Sequence, residues 1–97
     1  MLGDRSSYRL KGSYRVRWGV ENTWIRGEGI ASNISIAGME LITDKVFKIP
    51  EDCVFIVEPI HSEEVILKSN KSKVVWTKEI SLSGIPCLQF GLTFLPE

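Results

Sequence analysis

Leu88-Gln89-Phe90-Gly91-Leu92-Thr93-Phe94 sets an apolar side chain at every second position. A period of two marks an extended strand with one buried face, because successive side chains leave opposite sides of the pleat. The same alternation opens the body of the chain, where Tyr14, Val16, Trp18 and Val20 are interleaved with Arg15, Arg17 and Gly19. Gly27 to Ser35 reads as a second strand, entered through a turn near Glu21-Asn22-Thr23, and Gly38 begins a third with Met39 and Leu41 on one face and Glu40 on the other. Cys53 to Glu58 is almost continuously apolar, as a strand buried on both faces would be. Glu64 to Lys68 and Lys73 to Lys78 read as a pair joined through Ser69-Asn70-Lys71-Ser72. About seven short strands with turns every 8–12 residues predict a closed barrel or a sandwich of antiparallel strands. No segment carries a sustained helical period; Asp44 to Pro50 has room for one helical turn before Pro50 stops it.

Ninety-seven residues make one domain with a single core, and 43% hydrophobic with 25% charged residues excludes a disordered composition. No apolar run approaches the roughly 18–20 residues that span a bilayer, and Met1 to Arg5 contains no apolar signal region, so the expectation is a cytoplasmic protein without membrane insertion. Cys53 and Cys87 lie far apart with no CxxC and are read as a reduced pair rather than a disulfide. His61 is the sole histidine and Ser35 is not in a GxSxG elbow, so no nucleophile–base constellation is visible and no enzyme is expected. One histidine and two distant cysteines make no zinc site. Trp18 and Trp76 fall on apolar faces and read as core, whereas Trp24 sits in a turn as a candidate partner contact.

The formal net charge is zero but unevenly placed: Arg5, Arg9, Lys11, Arg15 and Arg17 face only Asp4 in residues 1–17, leaving seven basic against eleven acidic residues over 18–97. A general nucleic-acid binder shows a basic face across the domain. Charge confined to one end suits a small anionic ligand better. Residues 1–10 are polar and basic without alternation and read as a mobile arm. Within them, Arg5-Ser6-Ser7-Tyr8-Arg9 forms an RxxxR motif. A guanidinium forks onto phosphate oxygens, binds O6 and N7 of guanine, and stacks on a base. The same pair also reads as solvated charge on a frayed terminus. Arg15 and Arg17 read as the solvent face of their strand.

Asn33-Ile34-Ser35-Ile36-Ala37-Gly38 is an NxSxxG motif at a strand end. Two residues apart, Asn33 and Ser35 are expected to leave one face, offering an amide and a hydroxyl to a guanine edge or a phosphate, with Ile34 and Ile36 turned into the core. Gly38 supplies a positive φ or room for a ligand to reach the backbone. A plain Asx or Ser turn closing a hairpin accounts for the same residues.

In this order, with a strand between them, RxxxR and NxSxxG resemble the PilZ domain family, bacterial receptors for cyclic di-GMP. Val74-Val75-Trp76 looks like that family's late strand and Phe90-Gly91-Leu92-Thr93-Phe94 like its closing strand, so the resemblance covers nearly the whole chain. It implies an all-β fold: a six- to seven-stranded antiparallel β-barrel of split-barrel type (residues 13–97) behind a flexible N-terminal arm (residues 1–12). It also implies that Arg5 and Arg9 hold phosphates and guanine, and that Asn33, Ser35 and Gly38 meet the guanine on the barrel side. Binding would order the arm and pass the signal to a protein partner or a fused effector domain, with no metal, cofactor or nucleic acid. Asp4 stands where some relatives carry a further arginine and bind a stacked ligand pair, which favours one ligand per chain. Many relatives also continue into a C-terminal helix where this sequence ends. Two other readings remain: a protein-interaction module on the same fold that binds no nucleotide, and a small barrel binding single-stranded nucleic acid. The acidic balance of residues 18–97 argues against the latter.

Overall fold

The computed structural model describes residues 9–60 and 70–96. Six antiparallel strands form one sheet: β1 (Arg9–Val20), β2 (Arg26–Ser35), β3 (Gly38–Thr43), β4 (Phe55–Pro59), β5 (Lys71–Leu82) and β6 (Ile85–Phe94). Their order, β1-β2-β3-β6-β5-β4, returns to its start because β1 pairs on its far edge with β4, from Val16–Pro59 to Val20–Phe55. Among the described residues there is no helix, hence none that could cross a membrane.

Alternation decides which way each strand faces. Val16, Trp18 and Val20 of β1 are buried while Arg15 and Arg17 are exposed, and Met39, Leu41, Leu88, Phe90 and Leu92 complete the inner face from β3 and β6. Trp18 is the hub. Its ring stacks on Phe47 at 5.2 Å and meets Phe90 edge-on at 6.4 Å, while Phe55 and Phe90 contact at 5.0 Å. Such aromatic clusters add stability beyond their buried area.

Several sequence expectations are corrected. β4 buries one face only: Phe55 and Val57 are inside while Glu58 is exposed, so its apolar run is an alternating strand with Ile56 half-buried outside. The segment 44–50 is irregular rather than a helical turn, because Phe47 is drawn onto Trp18 and Ile49 packs beside the same core. Lys71 and Ser72 belong to β5 rather than to a turn, and β5 continues to Leu82 against β6. Ser83 (φ 52) and Gly84 (φ 81) then form a two-residue turn of type I′, whose twist matches the flanking strands. Residues 9–12, assigned to the arm from the sequence, are the first residues of β1. Arg5, His61 and the Glu64–Lys68 strand lie outside the described residues. Cys53 and Cys87 are free thiols.

Candidate functional site

The β1–β2 pairing brings the two motifs to one place. Arg9 lies opposite Ser35 and Leu10 opposite Ile34, and the next matched rung is Ser13 with Ser32. Lys11 and Gly12 therefore face Asn33 alone, a β-bulge in which Gly12 (φ 99) and Asn33 (φ 52) take left-handed backbone conformations. Asn is among the few side chains that tolerate this region. The bulge breaks the period of two: Ala31 and Ile34, three apart, are both buried, and Asn33 is exposed. Asn33 and Ser35 still line one groove, but through a backbone irregularity rather than simple alternation.

The turn that follows is tightly built. The Ala37 N–H donates to Ser35 Oγ at 3.1 Å, the Phe94 N–H donates to the Ala37 carbonyl at 2.9 Å, and Thr93 Oγ1 donates to the same carbonyl at 3.3 Å. Ile36 does not enter the core; it is 47% exposed, because the turn swings it outward. Gly38 has neither a positive φ nor open space above it. A Cβ there would overlap the Leu92 carbonyl oxygen, so the glycine lets β3 approach β6.

Across the groove stands Trp76. A second bulge, at Val75, separates the rungs Val74–Leu92 and Trp76–Gly91 and leaves Val75 61% exposed. The indole lies over Gly91, where any Cβ would collide with it, and remains 41% exposed. The expectation that Trp76 is core is thus corrected. The signal that could have found it is Gly91, which interrupts an otherwise strong strand where an aromatic from the next strand lies flat. Asn33, Ser35, Gly38, Glu40, Trp76 and Thr93 line a groove of about 390 Å³. It offers an aromatic face, a carboxylate, an amide and hydroxyls. The Glu40 carboxylate favours a hydrogen-bond donor over a bare phosphate on its side.

Arg15 and Arg17 are not in this groove; Arg15 is paired with Glu28 at 3.1 Å on the solvent face. A larger cavity of about 480 Å³ lies between the segment 47–53 and β5, but its rim sets Lys48 and Lys73 against Glu51, Asp52 and Glu79 and selects no ligand charge. Cys53 lines it, and burial pushes its thiol pKa up. Among the described residues no cluster of metal-ligating side chains occurs. Trp24 is 88% exposed, on a turn fixed by Thr23, whose hydroxyl donates to the Val20 carbonyl at 2.8 Å and accepts from the Ile25 N–H at 3.0 Å. No family model, no curated protein and no solved structure matches this chain.

Proposed function

We propose that this protein is a non-enzymatic receptor for cyclic di-GMP, on a PilZ-like barrel, with the ligand held between Arg5 and Arg9 on one side and Asn33, Ser35, Gly38 and Trp76 on the other. The observation that carries the reading is the rung Arg9–Ser35, which joins the end of RxxxR to the middle of NxSxxG at the rim of the groove. The chemistry is complementary. One guanine stacks on the Trp76 indole and offers N1–H and N2–H to Glu40, while the arginines take the phosphates and the Hoogsteen edge of guanine. Three or four charge-assisted hydrogen bonds at about 1.5–3 kcal/mol each, less the cost of ordering the arm on binding, reach the roughly −8 kcal/mol of a micromolar ligand. The signal is the docked arm, a state the ligand selects over the free one.

A second reading, a protein-interaction module on the same fold, is favoured by the structural explanations of Ser35 and Gly38, which need no ligand. Calorimetric titration with cyclic di-GMP, with GTP as control, separates the two. Binding of cyclic di-GMP alone supports the receptor, and silence from the folded chain supports the module.

A further inference from the structure

The β5–β6 hairpin outruns its neighbours. Pairing of β3 with β6 stops at Thr43–Leu88, and β4 reaches only Ser72 and Lys71 of β5. The rungs Ile80–Cys87, Ser81–Pro86 and Leu82–Ile85 therefore have no third strand on either side among the described residues. The turn fixes which backbone groups face outward. In a type I′ hairpin the flanking residues, here Leu82 and Ile85, exchange both hydrogen bonds, so Leu82, Ile80 and Lys78 turn their N–H and C=O groups to β6. Ser81, Glu79 and Thr77 turn theirs to the edge that no described strand covers. Such a row of donors and acceptors is a template for another strand.

We propose that this edge pairs with the same edge of a second copy of the chain, antiparallel, about a two-fold axis at Ile80. In an antiparallel ladder outward-bonding residues must meet outward-bonding residues, so the axis passes through a residue and not between two. An axis at Lys78 sets Lys78 against its own copy, and one at Glu79 sets Glu79 against its own; like charges directly opposite are destabilising. An axis at Thr77 brings Glu79 onto the Val75 bulge. One at Ser81 leaves a single bonded rung within the strands. At Ile80 two rungs form, Glu79 with Ser81 of the partner subunit and Ser81 with Glu79 of the partner subunit. Ile80 then meets its copy, and Leu82, 48% exposed in the monomer, covers the aliphatic stem of Lys78 of the partner subunit. The contact is small, so association follows chain concentration.

Sedimentation of the full chain over a wide concentration range tests this. The mean mass rises toward that of a dimer. Ser81→Pro removes an outward N–H without touching the β5–β6 ladder, and Ile80→Lys puts like charges on the axis; each weakens association at least tenfold while a thermal melt shows the chain still folded. In a background of Cys53→Ser and Cys87→Ala, which removes the thiol facing position 80 across the β5–β6 ladder, Ile80→Cys forms an interchain disulfide on mild oxidation and Ser81→Cys does not. A monomeric mass throughout, a dimer indifferent to both substitutions, or equal cross-linking at positions 80 and 81 overturns the proposal.

Discussion

Gly38 is held by packing, not by backbone conformation. Its hydrogen points at the Leu92 carbonyl, and a methyl there must push β3 off β6. Gly38→Ala is expected to cost about 1–3 kcal/mol, as overpacking does, read as a fall in the urea midpoint; an unchanged midpoint would show that the two strands yield freely. Trp76 has the opposite profile. It covers Gly91 on the outside of the sheet, so Trp76→Ala should lower the melting temperature by only a few degrees while weakening cyclic di-GMP binding about 10–100-fold, the range of a lost stacking face. Equal binding by the variant would remove the indole from the site. Cys53 supplies a pH test. Its thiol is raised chiefly by burial, so the folded chain holds that proton more tightly than the unfolded chain. The stability this contributes is fully present below the unfolded thiol pKa and is lost as pH rises through the folded value. Wild type should therefore lose more stability than Cys53→Ala does as pH rises past the ordinary thiol value of 9.0, and identical urea midpoints across that range would contradict the burial argument. At this scale the sequence was partly legible. Asn33, Ser35 and Gly38 stand out as a motif, but their φ values and contacts depend on β1 and β6, which no local pattern encodes.

At the scale of elements, strands whose alternation is clean, such as residues 14–20 and 88–94, are where the pattern puts them. The irregular pieces are what the pattern hides. A bulge costs a single residue of phase, so Asn33 and Val75 look like ordinary strand residues until the partner strand is known. Ser83-Gly84 is a weaker hairpin signal than Asn-Gly, and the exposed Leu82 and Ile85 beside it blur the expected boundary. Segment 44–50 hides its conformation for a related reason: it is set by Phe47 stacking on Trp18, a partner distant in sequence. Phe47→Ala should cost about 1–3 kcal/mol and expose Trp18, seen as a red-shifted tryptophan emission. An unshifted spectrum with full stability would mean that the segment is held without the stack.

For the molecule as a whole, the sheet returns on itself, and β1 contributes to both its seam with β4 and the motif junction with β2. Only the first rung of β1 carries Arg9, so Arg9→Ala should leave the free chain's melting temperature almost unchanged while abolishing ligand binding; an unfolded variant would make Arg9 structural. The charge asymmetry visible in the sequence points to the same end of β1, whereas Trp76 entered the site only through the β5–β6 pairing. The most direct test of the account is isothermal titration calorimetry of the purified chain with cyclic di-GMP against a GTP control. Micromolar or tighter binding of cyclic di-GMP alone, with one ligand per chain, is the expected result. No heat and no thermal shift from a demonstrably folded chain would contradict it and leave the groove to a protein partner.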